Sequence, residues 1–106
     1  MTTKLPPITP GDILLEEFIK PFGISQNQLA EDIHIPVTQI NAIVNGKKTI
    51  TTDTALRLAR YFGTTPQFWL NLQQHYELEL AEATLADQIL KTIKPLASIA
   101  ANDHEG

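Results

Sequence analysis

The polar side chains that follow Pro36 can form directed hydrogen bonds with a flat, polar partner such as the edge of a nucleic-acid base. A glutamine amide can bond to N6 and N7 of adenine together, and threonine or alanine can contact the methyl group of thymine. On a helix with Ile40 pointing to the core, Thr38 and Ala42 face outwards and their neighbours lie on the flanks. The predicted base-contacting residues are Val37, Thr38, Gln39, Asn41 and Ala42.

A second set of donors flanks this segment and suits contacts to phosphate oxygens. Lys47 and Lys48 follow the segment, and Ser25 and Gln26 precede it. Side chains of this kind neutralise the charge of a nucleic-acid backbone and set its register without reading its sequence. We refer to these four residues as the phosphate clamp.

Two short helices must position both sets, and the spacing from Gln26 to Gly46 predicts a helix-turn-helix. Helices that cross at a steep angle need apolar anchors, a small residue at the crossing and an apolar residue in the turn. These residues are Leu29, Ala30, Ile33, Ile35, Ile40 and Ile43. A DNA-binding helix-turn-helix places the N-terminal part of its second helix in the major groove. DNA is therefore the first partner that the sequence predicts.

Local signals predict where these two helices begin and end. Ser25 and Gln28 have the spacing of a capping box, so the first helix should begin directly after Ser25. Pro36 suits the first turn of the second helix, where a missing N–H is no loss. Gly46 suits the left-handed backbone that ends that helix. His34 occupies the turn between them, where we expect a positive φ, which histidine tolerates better than most residues.

The rest of the chain also predicts helices, and the expected fold class is all-α. A first helix begins after Thr9 and is expected to end at the residue before Pro21. Thr51 or Thr52 caps a fourth helix, and Thr65, followed by proline, caps a fifth. Thr84 can cap a sixth helix. The sequence leaves open whether the fifth and sixth helices form one rod.

Charge is distributed unevenly along the chain, whose net charge is −4. Residues 20–63 carry five basic and three acidic side chains, whereas residues 64–106 carry two basic and six acidic ones. Salt screens charges beyond about 8–10 Å, so phosphate binding depends on the local balance rather than on the net charge. The helix-turn-helix region can therefore bind DNA, and its small basic excess favours two copies of the chain on one DNA site.

Other kinds of site lack the residues that they need. The chain has no cysteine, and its three histidines, His34, His75 and His104, are far apart with no second ligand at metal-site spacing. It has no glycine-rich phosphate loop and no nucleophile motif, so we predict no enzyme, cofactor or metal. It also has no signal peptide and no run of ~18 apolar residues, so we expect a cytoplasmic protein without a membrane partner.

Five short helices around a helix-turn-helix resemble the Cro/C1-type (XRE, lambda-repressor-like) DNA-binding domain. The strings PPITPGDILLEEFIKPFGIS and GKKTITTDTALRLARYFGTTPQFWLNLQ are more specifically similar to the HigA (VapI-like) antitoxins of type II toxin–antitoxin systems. The resemblance covers residues 8–76. It implies a five-helix domain, and the residues after about Leu80, read without the resemblance, predict a C-terminal helical extension. The expected parts are a flexible segment over residues 1–7, the helix-turn-helix domain over residues 8–83, and a helix and tail over residues 84–106.

The resemblance also implies a function. Such an antitoxin represses its own operon as a homodimer on a palindromic operator, whose half-sites lie about 34 Å apart. It also neutralises a HigB-like toxin of the RelE/ParE class, a ribosome-dependent mRNA endonuclease. The expected dimer contacts are Trp69, Leu72, Tyr76 and Leu80. Many HigA-like sequences have arginine at the position of Gln39, so the operator preference of the family does not carry over to this chain.

Other interpretations remain open from the sequence. The chain could be a solitary XRE or phage-type regulator without a toxin, or a protein-interaction module that has lost DNA binding. Arg57 and Arg60 are better interpreted as ion-pair partners or solvated side chains than as DNA contacts. Trp69 suits a core position as well as a dimer contact. The acidic first helix and the acidic C-terminal half both suit a basic toxin, and the sequence does not choose between them.

Overall fold

A computed structural model of the chain describes residues 7–96, and these form five helices and no strand. The first helix, α1, spans residues 10–22. The others are α2 (Gln26–Ile33), α3 (Val37–Val44), α4 (Thr52–Phe62) and α5 (Pro66–Thr92). The all-α fold class is as the sequence predicts, and α2 and α3 form the helix-turn-helix. Most of the predicted flexible N-terminal segment and the end of the predicted tail lie outside the described residues.

Side-chain caps begin the helices at the predicted residues. Thr9 accepts a hydrogen bond from the backbone N–H of Asp12 at 3.0 Å, and the Asp12 carboxylate accepts one from the N–H of Thr9 at 3.3 Å. At Ser25 only half of the predicted capping box is present, because the Gln28 side chain donates to Asp32 at 2.8 Å instead. Three residues cap their helices by accepting from the backbone N–H three positions later: Ser25, Thr51 and Thr65.

The first helix continues past the residue where the sequence predicts its end. Its central part, Leu14–Ile19, is π-helical, and the backbone N–H of Lys20 donates to the carbonyl of Leu15, five residues back. Because the helix is widened ahead of Pro21, the chain stays helical although proline has no N–H to donate. Gly23, with a φ of 67°, supplies the left-handed turn that ends α1. The prediction that Pro21 ends this helix is therefore wrong.

The helix-turn-helix forms around the predicted anchors. His34 has a φ of 63° and Gly46 a φ of 75°, so both left-handed positions are confirmed. Pro36 directly precedes α3, and its carbonyl accepts from the backbone of Gln39, so it caps the helix rather than lying in its first turn. Ile35 packs against the core from the turn. The buried anchors are Leu29, Ala30, Ile33, Ile40 and Ile43.

A close crossing of α1 and α3 depends on Gly11. This glycine is buried, and a Cβ atom placed on it would lie 1.9 Å from the carbonyl oxygen of Ile43. Only a residue without a Cβ atom lets α1 pass over the C-terminal end of α3 at this distance. The crossing therefore fixes where α3, with its predicted base contacts, sits on the rest of the fold.

The fourth and fifth helices pack against each other and complete the core. Ala55, Leu58 and Ala59 are buried on α4, and Gly63 ends that helix at a φ of 76°. Trp69 on α5 has no exposed surface. The core thus closes over the first two turns of α5 and not along its whole length.

The last helix is one continuous element of 27 residues, so the fifth and sixth helices of the sequence are a single rod. Thr84 does not cap a new helix, because its hydroxyl donates to the carbonyl of Leu80 at 3.0 Å within α5. Residues 77–92, which we call the distal half of α5, are almost wholly exposed. Among residues 7–96, no helix is long and apolar enough to cross a membrane.

Candidate DNA-binding surface

The third helix buries one face and presents the other to solvent. Thr38 and Asn41 are exposed and Ala42 is half-buried, as expected for residues that contact bases. Val37 and Gln39 are also half-buried, and Val37 packs against the hydrophobic core. A hydroxyl, an amide and a methyl group on one exposed face are the chemical groups that can read base edges in the major groove.

The side chain of Gln39 is tied to the neighbouring helix. Its Nε2 donates to Oγ1 of Thr54 at 3.3 Å. The Thr54 hydroxyl also accepts from Oγ1 of Thr51, the cap of α4, at 3.2 Å. Thr54 itself is fully buried, and sequence reasoning missed it, because no local pattern links two positions 15 residues apart.

The predicted phosphate clamp lies on two elements, the start of α2 and the short loop after α3. Lys47 and Lys48 are exposed in the loop after α3, and the backbone N–H of Lys47 donates to the carbonyl of Ala42 at 2.8 Å. Ser25 is exposed at the start of α2, where its oxygen accepts from the backbone and its hydroxyl hydrogen remains free to donate. Gln26 is half-buried in the first turn of α2. Two cations and a helix N-terminus form a set of groups suited to phosphate oxygens.

A buried amide on α5 fixes the loop that carries the two lysines. Oε1 of Gln73 accepts from the backbone N–H of Ile50 at 2.9 Å, and its Nε2 donates to Glu77 at 3.0 Å. Gln73 is only 9% exposed, and Ile50 is buried beside it. This residue was missed from the sequence as well, since a glutamine within a long helix carries no signal of what it bonds.

Comparison with known proteins places this surface in a family. The family model described as helix-turn-helix matches residues 15–69, which include all of α2, α3 and α4. Virulence-associated protein I of Dichelobacter nodosus is 46% identical over 99 residues, covering 93% of this chain and 90% of that relative. An addiction module antidote protein of the HigA family from Coxiella burnetii superimposes with a TM-score of 0.81 at 48% identity, over 87% of this chain and all of that one.

The chain belongs to the HigA family of helix-turn-helix antitoxins. A second solved member, the antitoxin HigA of Pseudomonas aeruginosa with the higBA promoter, is 44% identical with a TM-score of 0.82. The match covers 85% of this chain and 98% of that one. The relatives are antitoxins and transcription regulators, so this HigA-type chain is not an enzyme, as its sequence predicts.

Arg57 of this HigA-type chain is engaged within the fold. Its Nε lies 3.2 Å from both carboxylate oxygens of Asp53, and Nη1 donates to the carbonyl of Ile33 at 2.8 Å. The interpretation of Arg57 as an intrachain partner is therefore confirmed. The next turn of α4 makes a similar link, where the hydroxyl of Tyr61 donates to Asp32 at 2.5 Å. That hydrogen bond raises the pKa of Tyr61, because losing its proton would break the bond and place two negative charges together.

The four residues expected at a dimer interface fall into two groups. Trp69 lies inside the chain's own core, where its indole N–H donates to Thr64 at 2.7 Å, so it offers no surface to a second chain. Leu72 and Tyr76 are half-buried, and Leu80 is 39% exposed. We therefore remove Trp69 from the predicted interface and keep the three residues that retain accessible surface.

Metal binding has no structural support in residues 7–96, where no group of three His, Asp or Glu side chains is placed to hold an ion. His34 lies in the turn and His75 lies on α5, 3.8 Å from Glu79. His104 is outside the described residues.

Proposed function

We propose that the chain is an antitoxin that binds a palindromic operator as a homodimer, represses its own operon and neutralises a HigB-like toxin of the RelE/ParE class. The observation that carries the DNA-binding part is the exposed face of α3, with Thr38 and Asn41 free while Ile40 and Ile43 are buried behind them. The Pseudomonas aeruginosa relative with its promoter supports the same partner. We propose that the chain acts in the cytoplasm, which is where the operator DNA of its bacterial relatives lies.

The charge distribution supports a dimer on DNA. Residues 20–63 have two more basic than acidic side chains, which provide few phosphate contacts for one subunit. A second subunit doubles those contacts, and each neutralised phosphate adds affinity by releasing counterions. The two recognition helices would then lie in successive major grooves about 34 Å apart.

The distal half of α5 has a surface that supports the proposed contact between two subunits. Its apolar residues line a groove of about 350 Å³. An apolar surface of this kind marks an interaction site. The groove is lined by Leu78, Ala81, Glu82, Leu85, Ala86, Ile89 and Leu90. We propose that the second subunit covers this groove.

Exposed acidic side chains favour the proposal that the other protein partner is a basic toxin. Glu16 and Glu17 are exposed on α1, and three glutamates, with Asp87, are exposed on the distal half of α5. Charge of one sign attracts a partner of the opposite sign and accelerates association. Two charge-reversal variants, Glu16→Lys with Glu17→Lys and Glu79→Lys with Glu82→Lys, would show which region the toxin contacts, through the loss of toxin co-purification.

The test of DNA binding is a gel-shift titration with the DNA directly upstream of the chain's own gene, at two salt concentrations. We expect binding that survives nonspecific competitor and weakens steeply with salt. The variant Lys47→Ala with Lys48→Ala should make the salt dependence less steep, by about 0.9 in the log–log slope for each phosphate that is no longer neutralised. The matched control Lys91→Ala with Lys94→Ala removes the same charge from the other end of the molecule and should leave the slope unchanged.

Three results would contradict parts of this proposal. An unchanged slope after removal of Lys47 and Lys48 would show that the phosphate clamp is wrongly placed. Absence of operator binding, with a partner protein still bound, would favour the interaction module instead. Operator binding without any toxin encoded beside the gene would favour a solitary regulator.

A further inference from the structure

Thr54 is a polar residue in the hydrophobic core. It has no exposed surface, and its neighbours on α4, Ala55 and Leu58, are also fully buried. A hydroxyl costs free energy in such a place unless it is hydrogen-bonded. The partners of this hydroxyl therefore indicate what the residue does.

Its two hydroxyl partners are Thr51 and Gln39, at 3.2 and 3.3 Å. Thr51 already has a role without it, because its Oγ1 accepts from the backbone N–H of Thr54 and caps α4. For Gln39, by contrast, the bond to Thr54 is the one side-chain hydrogen bond within residues 7–96. The hydroxyl thus adds little to the helix cap and holds the Gln39 side chain in one orientation.

That orientation decides what the amide can offer to a base. With one Nε2 hydrogen directed to Thr54, the amide keeps one acceptor, Oε1, and one remaining N–H donor. Adenine presents a donor, N6, beside an acceptor, N7, which matches this pair. Guanine presents two acceptors, O6 and N7. One of them would face Oε1, which is also an acceptor, so no hydrogen bond could form there. A glutamine free to rotate could turn its amino group to guanine.

We propose that Thr54 is a positioning residue that sets base specificity by holding the amide of Gln39 for adenine rather than guanine. The inference rests on the proposed binding of α3 to DNA and adds a residue that lies outside the helix-turn-helix. Thr54 touches no base. It acts through Gln39 from the first turn of α4.

The test is a selection from a randomised double-stranded DNA library, followed by sequencing of the bound duplexes. Wild type should select adenine at one position of each half-site. Thr54→Val, which keeps the shape and removes the hydroxyl, should lower the preference for adenine over guanine at that position by roughly tenfold. Thr54→Ser retains the hydroxyl and should retain the preference. Thr54→Ala serves as a second hydroxyl-free variant if Thr54→Val does not fold.

A structural role alone would give a different pattern. Loss of folding or a shift of α4 would weaken binding at every base position. A positioning role changes one position, leaves the salt dependence unchanged, and has no effect in a Gln39→Ala background. Thermal unfolding of each variant provides the control for folding.

Three results would overturn the inference. Unchanged discrimination in both hydroxyl-free variants would show that the bond does not orient Gln39. An equal loss at all positions, or the same loss in the Gln39→Ala background, would show a structural role. If wild type selects no sequence at all, the proposed DNA binding fails and this inference fails with it, whereas the first two results leave DNA binding intact.

Discussion

The two ends of the molecule use apolar side chains in opposite ways. In residues 10–76, which we call the head, most large apolar side chains are buried or half-buried, although Phe22 and Leu56 are exposed. No buried side-chain polar atom of the described chain lacks a partner. In the distal half of α5, Leu85 is 46% and Leu90 77% exposed, although they lie on the same helix as the fully buried Trp69. The head is therefore stabilised by its own contacts, whereas the distal half has an apolar surface that the rest of residues 7–96 leaves uncovered.

The largest effect is expected at Trp69, where α5 enters the head. Trp69→Ala should lower the free energy of unfolding by about 3–5 kcal/mol, because it leaves a cavity in the core and removes the bond to Thr64. Denaturant unfolding followed by circular dichroism measures this. A decrease below about 1 kcal/mol would mean that the head does not depend on this side chain.

A smaller decrease is expected where α1 crosses α3. Gly11→Ala places a Cβ atom against the backbone of Ile43, so the helices must move apart, at a cost of about 1–3 kcal/mol. Operator affinity should fall as well, since α3 would shift on the head. Glu17→Ala, at an exposed position of α1, is the control and should unfold like wild type. Equal unfolding midpoints for the two variants would refute the close crossing.

The link between the loop after α3 and α5 is tested at Gln73. Gln73→Leu should leave the backbone N–H of Ile50 without its acceptor and cost about 1–3 kcal/mol. The loop with Lys47 and Lys48 would lose its anchor, so operator affinity should fall at all base positions alike. Gln74→Leu changes an exposed residue on the same helix and should have no effect on affinity. Matching affinities in the two variants would show that the loop is held by other contacts.

The smallest effect on subunit folding is expected in the distal half of α5. Leu85→Glu with Ile89→Glu should change the unfolding free energy of a subunit by less than about 0.5 kcal/mol, because both side chains are exposed. Sedimentation should show the loss of the dimer, and Tm should no longer rise with protein concentration. A variant that remained dimeric would move the interface elsewhere and remove the contrast between the two regions.

Predictions that relied on local signals were accurate where a few neighbouring residues decide the backbone. The caps at Thr9, Thr51 and Thr65 lie where the sequence predicts them, because each needs only an oxygen three residues before a free N–H. The same kind of signal failed at Thr84. A threonine within a helix can also bond to the carbonyl four residues back, and its neighbours do not exclude that choice.

The sequence predicted the exposed residues of the site but not the buried residues that hold them in place. Exposure of Thr38, Asn41, Lys47 and Lys48 agrees with their predicted roles, since the period of a helix separates an outer face from an inner one. DNA contact by these residues stays a prediction. Trp69 was placed at an interface because its apolar character is equally compatible with a core and with a dimer contact.

The sequence by itself determined the helical class, the helix-turn-helix and most helix ends, because periodicity and capping act over a few residues. The tertiary structure alone decided three further points. Trp69 belongs to the core, Thr54 holds Gln39, and Gln73 anchors the loop with Lys47 and Lys48 at Ile50. The two side-chain links join positions 15 and 23 residues apart. Such contacts exist only after the helices have crossed, and their crossing geometry depends on the packing of the whole core rather than on any local pattern.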